Sequence, residues 1–279
     1  MNLFRIGISF AKSALNKQQY ESIRSKLFSM FAKYHRKRFV KVSGYKDFHC
    51  FLLPKDLPKS IHDEQFFSQR GQDWFLSTYV FPGVHNGFFL DIGANHPFDL
   101  SNTCYFEKQG WTGMAFEPQP HVQSLWKDVR NTPCLQLALG ETEGNILFNS
   151  IIADNWTHAL AYVSSVAEER QFLLEDLKEP HEVQQIQVKQ KRLESVLQEY
   201  GIGEIDFISM DVEGYEMNVL KGIDFSKVHI KCFVIENDAT CIGDNTIREF
   251  LKEKGYTHIA RLSGDDVFVH ASHLNAIRQ

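Results

Sequence analysis

Phe88-Phe89-Leu90-Asp91-Ile92-Gly93-Ala94-Asn95 is the stretch on which the fold turns. A short apolar run bounded by a glycine turn reads as a buried strand leading into a tight loop. Working outward, the same pattern recurs at Gly113–Phe116, Cys134–Leu139, Ile205–Met210 and Lys231–Ile235, while Gln119–Arg130 and Gly214–Lys221 suit helices. Alternation of this kind predicts βαβ crossovers and a parallel sheet. The end differs: Thr257–Arg261, a turn at Ser263-Gly264-Asp265, then Val267–His270 predict a hairpin, so the last strand is expected antiparallel to its neighbours. Residues 141–190 break the alternation and read as an insertion between the third and fourth strands. Upstream, the spacing of Trp74, Phe75, Tyr79 and Val80 predicts a helix over 72–81, stopped by Pro82-Gly83.

Composition sets the frame. In 279 residues, an apolar fraction of 43% with 23 phenylalanines is ample for a buried core and excludes a disordered or fibrous chain. The five cysteines, Cys50, Cys104, Cys134, Cys232 and Cys241, form no C-x-x-C pair, so neither a disulfide framework nor a zinc site is expected. No stretch approaches the roughly 20 apolar residues of a spanning helix, and a cytoplasmic location follows as the expectation. The net charge of −5 hides an asymmetry. Residues 1–46 carry eleven Lys/Arg against Glu21 alone, a balance of +10, while the remainder stands at −15. Within that basic arm, Leu3, Ile6, Phe10 and Ala14, then Ile23, Leu27, Met30, Phe31 and Tyr34, fall at helical spacing. A basic amphipathic arm suits the anionic inner face of a membrane, where each Lys or Arg contributes about 1 kcal/mol; packing on the acidic remainder of the chain is the alternative. Nucleic acid is disfavoured, because stacking aromatics are not interleaved with the basic residues.

The chemistry sits at strand ends, where open parallel sheets bind ligands. The first strand ends in Asp91-Ile92-Gly93-Ala94-Asn95, an acid suited to a cationic amino group beside a glycine that lets the backbone approach a ligand. The second ends in Glu117-Pro118, with the acid placed to accept both hydroxyls of a ribose. A nicotinamide enzyme would want G-x-G-x-x-G after the first strand, because a pyrophosphate needs several bare backbone N–H groups. Here one glycine and Pro97, which has no N–H, stand instead. A cofactor with ribose but no pyrophosphate fits, and S-adenosylmethionine is such a cofactor. Taken singly, Asp91 and Glu117 also read as helix caps. The fourth strand runs into Met210-Asp211-Val212-Glu213-Gly214-Tyr215-Glu216 and the fifth into Glu236-Asn237-Asp238. Neighbouring in a parallel sheet, these ends should gather Asp211, Glu213 and Glu236 as a general base, a hydroxyl clamp or a hard-cation site. In the insertion, Asn155-Trp156-Thr157-His158 pairs an indole with polar neighbours, a combination that suits a sugar face.

The run Phe89–Asn95, Ser101-Asn102-Thr103, Phe116-Glu117-Pro118 and Ile208–Glu216 resembles the FkbM-type methyltransferase family, as do Ser68–Asp73 and Arg192-Leu193-Glu194. The resemblance covers residues 68 to about 240. It implies a Rossmann-like class I methyltransferase fold, a seven-stranded sheet in the order 3-2-1-4-5-7-6, and O-methylation of a sugar, glycan or natural-product hydroxyl. The chain departs at Pro97, where many members have glycine. Carried over by position, Asp91, Gly93, Ala94 and Asn95 line the methionine half of S-adenosylmethionine, Glu117 with Pro118 holds the ribose, and Ala138-Leu139 faces adenine. Asp211 lies beside the transferred methyl, and Gln69 and Asp73 close the site. Asp211 with Glu236 and Asn237 also resembles the Mg²⁺ ligands of catechol-type O-methyltransferases, a divalent metal being the less favoured version. The expected layout is a basic arm over 1–46, a connecting segment and leading helix over 47–85, and the methyltransferase domain over 86–279. The expected reaction is SN2 transfer of a methyl to a hydroxyl oxygen, with a base drawn from Asp211, Glu213, Glu236 and His158. An oxidoreductase and a non-catalytic binding module recruited by the arm are the rival readings.

Overall fold

The computed structural model describes residues 51–52, 66–153, 159–166, 181–237, 245–262 and 264–277. The arm over 1–46 therefore lies outside the described residues. Twelve strands are present among those described: β1 (Phe51–Leu52), β2 (Phe88–Ile92), β3 (Thr112–Phe116), β4 (Cys134–Leu135), β5 (Ala138–Leu139), β6 (Gly144–Ile152), β7 (Tyr162–Val163), β8 (Glu182–Lys191), β9 (Glu204–Met210), β10 (His229–Glu236), β11 (Tyr256–Leu262) and β12 (Asp265–His270). β2, β9 and β10 are near-continuous apolar runs because each is covered on both faces, as parallel strands under helices must be.

The main sheet runs β1-β11-β12-β10-β9-β2-β3-β4. From β4 to β11 this is the order 3-2-1-4-5-7-6, and β12 alone is antiparallel to its neighbours, as the hairpin over 256–270 requires. The sheet is mixed and has eight strands rather than seven, because Phe51–Leu52 pairs in parallel with β11 at the edge. The expected strand over 134–139 is two strands in two sheets. Cys134–Leu135 pairs with β3, after which the chain leaves and Ala138–Leu139 pairs with β8. The insertion is itself a four-stranded sheet, β5-β8-β6-β7, held by an antiparallel ladder from Gly144↔Gln190 to Ile152↔Glu182.

Among the described residues, seven α-helical segments pack around the sheets: α1 (Gln72–Phe75), α2 (Cys104–Lys108), α3 (Pro120–Gln123), α4 (Leu193–Tyr200), α5 (Glu216–Lys221), α6 (Asn245–Glu253) and α7 (Ala271–Ile277). α1 continues as a π-helical turn, Leu76–Val80, so the helix expected over 72–81 changes pitch midway. The helix expected over 119–130 stops early. Past a 3₁₀ turn, Ser124–Trp126, the Trp126 indole is buried against Ala94 and Ala115, and Asp128 takes a left-handed φ of 62°. One sheet face buries Leu90, Ile92, Phe116, Ile208 and Phe233, and the other packs Phe89, Phe106, Trp111 and Phe207 with their rings tilted against one another. No helix among the described residues is long and apolar enough to cross a membrane.

One ionic knot closes the hairpin end. Arg261 and Asp266 are both 0% exposed. Asp266 accepts from Arg261 Nη1 at 2.9 Å, from Arg248 Nε and Nη2 at 2.8 and 3.1 Å, and from Asn237 Nδ2 at 2.6 Å. His258 Nε2 stands 3.0 Å from Asp266 Oδ1. Burial opposes the charge, but His258, Arg261 and Arg248 together hold the Asp266 carboxyl well below the usual range. The knot thus ties β10, β11, β12 and α6 together. Asp266→Asn strands a buried guanidinium and should cost about 3–5 kcal/mol in denaturant unfolding at neutral pH. A loss under about 1 kcal/mol, the scale of exposed ion pairs, would mean that solvent already compensates the charges.

Candidate functional site

The carboxyl ends of β2, β3 and β9 open into a cleft of about 540 Å³, with the insertion sheet forming part of its wall through Ala138, Leu139 and Phe148. That space includes the part of the cleft open to solvent. The loop after β2 presses directly on the end of β9: Asp211 N–H donates to the Ile92 carbonyl at 3.0 Å. Gly93 sits at φ 79°, and a Cβ there would lie 1.8 Å from the Asp211 carbonyl oxygen, so no side chain fits. Gly93 and Ala94 both donate their N–H groups to the Phe116 carbonyl, at 3.0 and 3.1 Å. Asn95, at φ 46°, donates its N–H to Glu117 Oε2 at 3.0 Å and accepts the Trp126 indole N–H at 2.6 Å. Its side-chain Oδ1 is buried with no hydrogen-bond partner among the described residues.

Glu117 is 4% exposed and lines the cleft, its second oxygen accepting the Gln119 N–H at 2.9 Å. Burial pushes its carboxyl up to about 7; the backbone hydrogen bonds from Gln119 and Asn95 work against the rise and the nearby Asp91 adds to it. Pro118, Ala138 and Leu139 line the same cleft, as do Gly93 and Asn95. Asp91 does not. It is buried beneath the loop, accepting from Thr103 Oγ1 at 2.5 Å, and burial raises it to about 6 against the opposing effects of Thr103 and Arg130. Ala94 also turns away, packed with Ala115 and Trp126.

Across the cleft, the acids gather. Asp211 and Glu213 line it, and Asp211, Glu216 and Glu236 each bring a carboxylate oxygen within 4.8 Å of the others. Asp211 is ringed by protein atoms although its side chain remains open to solvent in the cleft. That enclosure, followed by repulsion from Glu236, Glu213, Asp265 and Glu216, raises its carboxyl well above the usual value. Glu216 Oε1 accepts the N–H groups of Val212 and Gly214, both at 3.1 Å, closing a loop in which Glu213 takes φ 53°.

Several expected positions are corrected. Asn237 faces the Asp266 knot rather than the acids, because strand alternation sends it to the opposite side from Glu236; Glu216 stands where Asn237 was expected. Gln69 is exposed and away from the cleft lining. Asp73 points inward, accepting the N–H groups of Phe67, Ser68 and Trp74 at 2.7, 3.2 and 2.8 Å, so it folds the segment before α1. Asn155, Trp156, Thr157 and His158 lie outside the described residues, although Ala159 and Ala161 beyond them line the cleft.

Sequence reading missed Gln72 and Asp265. Gln72 Nε2 donates to Asp265 Oδ2 at 2.5 Å, and Asp265 stands opposite Glu236 in the β10–β12 ladder. Burial raises Asp265 to about 7, the Gln72 hydrogen bond opposing and Glu236 adding to the rise. Asp265 looks like an ordinary turn residue in sequence; only the ladder register puts it beside the acids.

A search of the curated proteins finds no match for the chain. Residues 91–257 match the family model for the methyltransferase FkbM domain, a span that begins at Asp91, takes in the glycine turn, Glu117, the insertion sheet and the acidic junction, and ends inside β11. That span covers more than half of the chain and the whole cleft just described, and the chain belongs to the FkbM methyltransferase family.

Proposed function

We propose that the chain is a Rossmann-like class I methyltransferase that uses S-adenosylmethionine to methylate a hydroxyl oxygen of a sugar, glycan or related natural product. One observation carries the cofactor assignment: most amides of the first loop are already engaged. Gly93 and Ala94 donate to Phe116, Asn95 donates to Glu117, Phe98 and Asp99 donate to His96 Nδ1, and Pro97 has no N–H. A pyrophosphate finds no cradle there, which argues against a nicotinamide dinucleotide. What the cleft offers instead are acceptors: the buried Glu117 carboxyl for ribose hydroxyls and the unpartnered Asn95 Oδ1 for an ammonium group. Pro118, Ala138, Leu139 and Phe148 supply an apolar wall for an adenine ring. Asp91, below the floor, adds negative potential toward a cationic ligand. These residues fit the cofactor.

Bound there, S-adenosylmethionine supplies an electrophilic methyl group. The chain's own tasks are to align the acceptor oxygen and remove one proton. Asp211 is the base in this reading: it opens to the cleft, and its enclosure together with the neighbouring acids raises its proton affinity well above that of an ordinary carboxylate. Glu236 stands within 4.8 Å of it, backed by Asp265 and the Gln72 amide that donates to Asp265.

Three outcomes test the reading. S-adenosylmethionine or S-adenosylhomocysteine at a hundredfold excess over Kd should add about 2.7 kcal/mol and raise Tm by about 5–10 °C, whereas NAD should not. A shift with NAD alone would reverse the assignment. Because burial favours the neutral Glu117 and ribose hydroxyls favour the ionised form, affinity should rise with pH through about 7. Calorimetry with 5′-methylthioadenosine should show about a tenfold gain from pH 6 to pH 8, flattened and weakened in Glu117→Gln; a slope that survives the substitution removes Glu117 from the ribose role. Asp211→Asn should keep cofactor affinity and lower turnover by roughly 10²–10⁴-fold, and a folded variant with full turnover moves the base elsewhere.

A further inference from the structure

Arg130 belongs to none of the motifs above, yet its side chain is 1% exposed and every nitrogen of its guanidinium is engaged. Nε donates to Glu107 Oε2 at 2.9 Å. Nη1 donates to the Pro97 carbonyl at 2.5 Å and to Ser101 Oγ at 3.4 Å, and Nη2 to Thr103 Oγ1 at 3.3 Å. The planar group also lies over the Trp126 ring, 4.7 Å from its centroid. Trp126 in turn holds the Asn95 carbonyl, and Thr103 holds Asp91. The loop from Asn95 to Thr103 is therefore fastened to one cation directly at Pro97, Ser101 and Thr103, and at Asn95 through the Trp126 ring beneath it.

The loop needs such a hold. It contains no helix or strand, and Leu100 sits at φ 63°, a left-handed conformation that costs a non-glycine residue energy unless its surroundings impose it. Pro97 contributes no N–H to any internal turn, so its carbonyl is the handle by which the middle of the loop is held. The planar fork explains why arginine stands here: it reaches several acceptors in one plane, which an ammonium cannot do. Glu107 anchors the far side, accepting the N–H groups of Asn131 and Thr132 at 3.1 Å each, and so keeps the guanidinium in place.

We propose that Arg130 is the positioning residue for the methionine half of the cofactor, holding the Asn95–Thr103 loop in the shape that presents Asn95 to the ligand. The proposal rests on the cleft being an S-adenosylmethionine site. It differs from a purely structural role in one measurable respect. Arg130 acts on the loop that meets the amino-acid portion of the ligand, whereas ribose and adenine meet Glu117, Pro118 and Leu139. Loss of Arg130 should therefore discriminate between ligands with and without that portion.

The experiment is calorimetry with S-adenosylhomocysteine and with 5′-methylthioadenosine, which lacks the amino-acid portion, on wild type, Arg130→Met, Arg130→Lys and Thr103→Val. Arg130→Met should weaken S-adenosylhomocysteine about tenfold to a hundredfold, the worth of a charge-assisted hydrogen bond, and leave methylthioadenosine within about threefold. Arg130→Lys, keeping the charge without the fork, should fall between. Thr103→Val, which spares the Arg130–Glu107 pair, should reproduce part of the selective loss. Equal weakening of both ligands, or of neither, overturns the proposal. Should Arg130→Met fail to fold, the same contrast in Arg130→Lys and Thr103→Val decides it by the same criterion. Wild-type protein that binds neither ligand overturns the cofactor reading and this proposal together, while wild-type binding unaffected by all three substitutions overturns this proposal alone.

Discussion

A methyl group cannot be placed between Gly93 and the Asp211 carbonyl, and the rest of the site is arranged around that contact. It forces the loop after β2 to lie flat on the end of β9, where Asp211 N–H meets the Ile92 carbonyl. With the loop in that position, the amides of Gly93, Ala94 and Asn95 are bonded to Phe116 and Glu117 at the end of β3. The floor of the cleft therefore presents acceptors more than donors. A pocket with that polarity is suited to hydroxyls and cations, the ligand chemistry proposed above, more than to phosphates.

The same polarity continues on the far wall, where Asp265 and Asp266 show how strand geometry divides labour. They are consecutive, so the pleat sends them to opposite faces of β12. Asp266 enters a knot of Arg248, Arg261 and His258 and is held far below the usual range. Asp265 meets Gln72 and Glu236 and is raised to about 7. The balanced knot fixes the hairpin, and the fixed hairpin holds an unbalanced cluster together against its own repulsion. Stability invested on one face is thus what permits concentrated negative charge on the other.

The central sheet was legible because β2, β9 and β10 are apolar on both faces and end in glycine or acid. The closing hairpin was legible from its turn. The insertion sheet was not: β8 reads Glu182-Val183-Gln184-Gln185-Ile186-Gln187-Val188-Lys189-Gln190-Lys191, and only Ile186 and Val188 turn their apolar side chains into its core. The run Cys134–Leu139 gave no sign of a break, because each half is apolar for a different sheet. Gly93, Asn95, Glu117, Pro118 and Asp211, picked out at strand ends, and Ala138 and Leu139, expected from the family resemblance, all line the cleft. Asp91 is turned beneath the loop onto Thr103, Ala94 packs on Ala115 and Trp126, and Asn237 is displaced by one residue of alternation. Gln72, Asp265 and Arg130 are brought in by ladder register and loop packing, which leave no local signature.

The insertion sheet leaves and returns at adjacent points. Ala138 and Leu139 pair with Gln190 and Lys191, and Gly140 N–H donates to the Lys191 carbonyl at 3.1 Å. The main sheet therefore meets the 50-odd residues between as a closed excursion whose two feet are already joined. Loop-closure entropy rises only with the logarithm of length, so such an excursion tolerates lengthening, shortening or replacement while its feet stay paired. Since it also supplies Phe148, Ala159 and Ala161 to the cleft, it is the natural cassette for changing acceptor preference: a unit that evolution or an engineer can exchange whole, leaving the Gly93 turn and Glu117 untouched.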